Sequence, residues 1–311
     1  MQIVIIAVLA ILGIVAVVAA WLYLAPEHAT RFVIDRERSR AGLTRKQVDL
    51  PDGLRYVYLE GGQGDPLVLL HGFGANKDNF VRVAGALTRR YRVIIPDHIG
   101  FGESSHPPEA DYSPLAQVHR LHALMSALGV SQFHLGGSSM GGQIALSYAA
   151  AYPAQVKSLW LLDPAGLWTA TESELLRVKR ETGRNLLLAA NADEFDAVLR
   201  FVTAKTPFIP APIRRVMAQE RIANHRLESR IADELLADSI EQRIAGIAVP
   251  ALIVWGDQDR AIHVDSAQVL QGLLPRSKTV IMRGIGHLPH IESPRQSVAD
   301  YLHFRTSEAG S

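Results

Sequence analysis

The sequence predicts an α/β chain, a mostly parallel sheet flanked by helices, with a single apolar helix ahead of it. Three observations predict this. Past residue 48, short apolar runs such as "LVLL" (67–70) and "ALIVW" (251–255) alternate with helix-length stretches, the rhythm of strands buried on both faces of a parallel sheet. One long interval, 166–246, carries no strand signal. The first 25 residues are almost wholly apolar.

The N-terminal run "IVIIAVLAILGIVAVVAAWLYLA", Ile3 to Ala25, holds 23 residues and no charge. A helix crosses the hydrocarbon core in about 20 residues. Trp21 and Tyr23 stand at its C-terminal end, where amphipathic aromatics favour the membrane interface. A cleaved signal peptide has a shorter apolar region of about 7–15 residues behind a basic segment, and nothing basic precedes Ile3. Residues 1–25 therefore read as an uncleaved single-pass anchor. Ala16 and Ala20, small and four apart, would allow a homodimer through it.

Residues 26–47 read as a juxtamembrane segment, in which 26–46 hold six Lys/Arg against three acids. The positive-inside rule would keep the following domain on the cytoplasmic side. Alternatively, some of these cations lie on anionic headgroups while Phe32, Val33 and Ile34 dip inward.

Strands are predicted at 54–60, 66–70, 92–96, 133–136, 156–162, 251–255 and 278–282, with helices at 114–128 and 266–274 among others. Residues 166–246 are helical in character and broken by "TPFIPAPI". This is too long for one crossover and reads as a helical cap inserted into a core made of 48–165 and 247–311. Its Phe195, Phe201, Phe208 and Ile209, with Val216, are candidates to line an apolar substrate pocket.

Composition excludes several functions. Lys and Arg number 32 against 31 acids, and no basic stretch is interleaved with aromatics, so no nucleic-acid partner is expected. There is no cysteine, which removes disulfides, thiolate metal sites and a Cys nucleophile. No cofactor or metal is signalled. The G-x-G of "DHIGFGES" lacks the third glycine of a dinucleotide fingerprint, because position 105 is Ser105.

The chemistry concentrates in "FHLGGSSMGGQIALSYAAAYP" (133–153). A nucleophile elbow reads G-x-S-x-G, a sharp strand-to-helix turn around a strained serine. Ser139 fits, between Gly137 and Gly141; Ser138 would need a small residue at 140 and meets Met140. A serine nucleophile needs an imidazole to take its proton and a carboxylate to orient that imidazole. Asp257 and Asp259 follow one strand in "WGDQD", Asp163 ends another in "LLDPAGL", and His287 and His290 share "GIGHLPHIE". His287 follows a strand and a glycine and is preferred; His290 reads as an exposed loop residue. His71 in "HGFGANKDNF" reads as a structural hydrogen-bonding residue. An oxyanion hole needs two backbone N–H groups, available from Met140, after the nucleophile, and Phe73, after the His71–Gly72 turn.

"HGFGANKDNF", "DHIGFGES", "HLGGSSMGGQIALSYAAAYP", "LLDPAGL", "WGDQD" and "GIGHLPHIE" occur in an order that resembles the α/β-hydrolase fold enzymes. Within them the chain is most similar to membrane-anchored monoacylglycerol lipases and bacterial lipases or phospholipases. The resemblance covers about 50–304 and extends through the anchor. It implies Ser139, Asp259 and His287 as the triad and Phe73 and Met140 as the oxyanion donors, in an enzyme held at a bacterial inner membrane. The implied reaction is hydrolysis of acylglycerols, lysophospholipids or phospholipids through an acyl-enzyme, with the bilayer and its lipid esters as partners. Carbon–carbon hydrolases of ring-cleavage products carry a similar elbow, but their soluble substrates do not call for an anchor. A non-catalytic binder on this fold would be marked by a lost triad residue, and none is lost.

Overall fold

The computed structural model describes residues 1–309. Helix α1 (Gln2–Leu24) buries none of its residues. Among the described residues it is the one helix long and apolar enough to cross a membrane. Ala25 breaks it, and α2 (Pro26–Arg40) starts immediately with proline in its first turn, where a missing N–H costs nothing. α2 belongs to the folded body: Ala29 and Thr30 are buried, and Arg38 grips Asp78 through Nε and Nη2, each at 2.7 Å.

Sequence patterning registers no strand before Leu54, yet β1 (Leu43–Asp49) begins inside the segment read as juxtamembrane. Its "LTRKQVD" has no apolar alternation because it is an exposed edge strand, and charges on an edge discourage pairing with other chains. β2 (Arg55–Gly61), β3 (Asp65–Leu70), α3 (Val81–Leu87), β4 (Tyr91–Pro96), α4 (Pro114–Ala127), β5 (Phe133–Ser138), α5 (Met140–Ala151) and β6 (Val156–Leu162) follow. Then come five helices, α6 (Glu174–Thr182), α7 (Ala192–Val202), α8 (Ala211–Ala223), α9 (His225–Ala237) and α10 (Glu241–Ile244). The chain closes with β7 (Ala251–Gly256), α11 (Ser266–Leu273), β8 (Ser277–Met282), α12 (Pro289–Glu292) and α13 (Pro294–Ala309).

The described strands form one sheet in the order β1-β2-β4-β3-β5-β6-β7-β8. β2 runs antiparallel to both of its neighbours, β1 and β4, and the remaining pairs are parallel. The order places β3 between β4 and β5, so the chain winds outward from β3 and then back across it. Loops leaving the C-terminal ends of β3 and β5 thereby open a crevice, where ligands bind in such sheets.

Alternate residues of each strand face opposite layers. Val68, Leu70, Leu135 and Ile253 pack with α4, α5, α11 and the helices between β6 and β7. Leu67, Leu69, Trp160 and Val254 pack with α3 and with Tyr301 and Phe304 of α13. Among the five helices between β6 and β7, α7 buries Phe195, Val198, Phe201 and Val202 at helical spacing, and the Asn191 side chain accepts from Glu194 N–H at 2.9 Å to start it.

Candidate active site

Ser139 stands where β5 becomes α5, with φ 54° and ψ −119°. Such a backbone is strained for a side-chain-bearing residue and persists because both sides are tied down. Its N–H donates to the Leu162 carbonyl, while its carbonyl accepts from Gln143 and Ala165 N–H, all at 3.0 Å. The flanking glycines are sterically required: a Cβ at 137 would strike the Gly141 carbonyl, and one at 141 the Leu70 carbonyl. Gly72 brings the turn after β3 against the elbow, its would-be Cβ 3.2 Å from Ser139 Cβ. Ser138 is fully buried and its Oγ has no partner.

Asp259 follows β7 and His287 follows β8. The His287 Nδ1 lies 2.7 Å from Asp259 Oδ2, and both side chains are buried. The other Asp259 oxygen accepts from Ala261 and Ile262 N–H at 2.8 and 3.0 Å, so backbone fixes the carboxylate that fixes the ring. Asp257, two residues earlier, instead accepts from Gly284 N–H at 2.6 Å and shapes the loop. Asp163, at the end of β6, is fully buried with φ 46°. One oxygen accepts from Gly256 N–H at 2.9 Å and the other has no partner. Burial, and next the charge of Asp259, push its carboxyl well above the usual carboxylate range. Atoms of Asp163, Asp259 and His287 lie within 4.8 Å of one another. The 2.7 Å contact and the two backbone donors, however, engage Asp259 within the protein rather than toward a cation.

Met140 opens α5, whose first N–H groups have no partner within the helix. The Phe73 ring meets Phe101 edge-on at 5.7 Å, with the Arg221 guanidinium 5.7 Å from its centroid. Arg221, on α8, is buried. It donates to the Gly74 carbonyl (3.1 Å), the Leu187 carbonyl (2.6 Å) and Glu228 (2.7 Å). No local sequence signal marks it.

His71 accepts from His98 N–H on Nε2 at 3.0 Å, so its Nδ1 donates to the Gly72 carbonyl at 2.8 Å. Burial lowers its pKa to about 4, and this neutral ring holds the turn together. His290 is not the exposed loop residue its position implied. The turn begun by Pro289 carries it inside, fully buried, stacked on Phe80 at 4.6 Å with Nε2 2.6 Å from Asn79 Oδ1.

The five apolar candidates between β6 and β7 separate. Phe195 and Phe201 are buried in the core, Ile209 and Val216 are half-buried, and Phe208 is 91% exposed. Phe208 sits in the segment leading into α8 with its ring in solvent rather than packed inside. A polar cleft of about 440 Å³ opens beside Asp259 between Arg200, Thr203 and Arg260; Phe201 borders it, with its ring 4.9 Å from the Arg260 guanidinium.

Residues 65–294 match the family model of the alpha/beta hydrolase fold. The chain belongs to that family. This hydrolase is 42% identical to Lipase 3 of Moraxella sp. (strain TA144), over 89% of the chain and 90% of the relative. It is 31% identical to monoacylglycerol lipase abhd6-A of Xenopus laevis, over 79% of each. Among solved structures, a membrane phospholipase A described as a bacterial virulence factor superposes with a TM-score of 0.90 at 38% identity, covering 98% of this hydrolase and 99% of that chain.

Proposed function

We propose that this hydrolase is a membrane-anchored serine esterase that cleaves lipid esters, with Ser139 as nucleophile, His287 as general base and acid, and Asp259 orienting the imidazole. The observation that carries the reading is the buried Asp259–His287 hydrogen bond at the same sheet edge as a serine held in a strained, glycine-flanked elbow. Ser139 Oγ attacks the ester carbonyl while the free imidazole nitrogen takes its proton. The N–H groups of Met140 and Phe73 stabilise the oxyanion. Collapse expels the alcohol, protonated by His287, and water activated by the same ring then releases the fatty acid. The lipase and phospholipase relatives and the apolar α1 support a lipid ester as substrate, presented by lateral diffusion. A carbon–carbon hydrolase with a soluble substrate leaves α1 without a role.

The test is fatty-acid release by the detergent-solubilised chain from short-chain esters, monoacylglycerols, lysophospholipids and diacyl phospholipids. Ser139→Ala is expected to abolish release from each active substrate with its melting temperature kept. Inert long-chain esters, or an active Ser139→Ala, would refute the reading.

A further inference from the structure

The large apolar side chains left in water are clustered. Beyond Met1 and α1, among the described residues, they are Phe32, Val33, Leu115, Phe208, Met217, Ile222 and Ile281. All but Leu115 and Ile281 lie on α2, on α8 or in the turn entering α8, a grouping that marks an interaction surface. α8 is the cap helix that packs against both α1 and α2.

Geometry then sets the depth of this surface. The 23 residues of α1 make a helix of about 35 Å, enough to cross the hydrocarbon core. α2 starts one residue later, and the Trp21 ring meets Phe32 edge-on at 5.4 Å across the junction. Elements packed on that junction lie at headgroup depth. The charges agree with an anionic lipid surface. Arg31, Arg36 and Arg215 are exposed and have no ion pair among the described residues; they outnumber the two exposed acids of α2 and α8 in the same state, Glu27 and Glu220, because Asp35 and Glu37 are already held by Arg38 and Arg40.

We propose that the α8 edge of the cap, carrying Phe208, Met217 and Ile222, rests in the bilayer interface beside α2, so that cap and anchor share one lipid surface. The proposal rests on reading α1 as a membrane span. α8 has two functional faces in this arrangement. One touches lipid; the other presents Arg221 to the loop that carries Phe73.

The chain has no cysteine, so single-cysteine variants of the full chain take one label each. Bimane at Phe208→Cys, Met217→Cys and Ile222→Cys is read in vesicles of phosphatidylcholine and phosphatidylglycerol containing doxyl-labelled lipid. Ile11→Cys reports the span; Leu115→Cys and Ile281→Cys are the controls. The cap labels are expected to be quenched and the controls not. A quenched Ile11 label with cap labels at control level overturns the docking and keeps the anchor; this includes the case where a second copy covers the patch. Quenched cap labels with an unquenched Ile11 label overturn the anchor and keep the docking. In a second arm, Met217→Asp combined with Ile222→Asp is expected to lower fatty-acid release from vesicle esters about tenfold, with release from a soluble short-chain ester unchanged. No loss on vesicles, or an equal loss on both substrates, counts against the proposal.

Discussion

Asp163 and Asp259 are two buried carboxyls at neighbouring strand ends, and their surroundings separate them. Asp259 has two backbone donors and His287, while Asp163 has one donor and an unpartnered oxygen. Asp163 therefore holds its proton, and asparagine mimics that neutral form. Asp163→Asn is expected to keep kcat within a few-fold, whereas Asp259→Asn should lower it about 10³–10⁴-fold, the scale of misorienting a triad imidazole. Initial rates on a soluble ester at neutral pH decide. The raised pKa also has a stability sign. Between the ordinary carboxylate range and its raised value, the folded chain binds a proton that the unfolded chain has lost, so the wild type loses stability as pH rises through that window. Asp163→Asn removes this contribution, and denaturant melts across pH should show a flatter curve.

At the scale of elements, α8 joins parts that are distant in the chain. Arg221 is 147 residues from Gly74 in sequence yet hydrogen-bonded to it, and its ion pair with Glu228 is buried. Arg221→Met keeps the aliphatic packing but leaves Glu228 uncompensated, at a cost of about 3–5 kcal/mol. Adding Glu228→Gln should restore most of that stability. It should not restore catalysis, because the loop carrying Phe73 has lost its clamp. The double variant is expected to melt near the wild type, with kcat about 10²-fold lower and KM little changed. Recovery of kcat along with stability would assign Arg221 a packing role alone.

For the whole molecule, acid stability follows from histidines buried neutral. Burial, as the largest cause, lowers His71 to about 4 and His290 to about 3. Below the ordinary value of 6.5 the unfolded chain takes up protons that the folded chain refuses, so stability falls with pH down to those values. Each ring contributes about 1.4 kcal/mol per pH unit. His290→Gln, which retains a polar atom toward Asn79, should flatten the decline between pH 6 and pH 4 in urea titrations by roughly that slope; an unchanged slope would mean that His290 titrates freely.

What the sequence by itself determined was whatever depends on neighbours along the chain. The 23 uncharged residues of the first helix, the Gly137–Ser139–Gly141 turn and the apolar runs of the parallel strands are local patterns, because length, steric allowance and burial on both faces are each written into consecutive residues. The resemblance of the motifs already pointed to Asp259 as the partner of His287, whereas the tertiary structure alone decided that His290 is buried against Phe80, that Phe208 faces outward and that Arg221 grips the turn after β3. Edge strand β1 belongs with these, since its pairing with β2 supplies the order that its own polar pattern does not signal. Such features depend on contacts between segments tens to hundreds of residues apart, made only when the sheet and the helices pack.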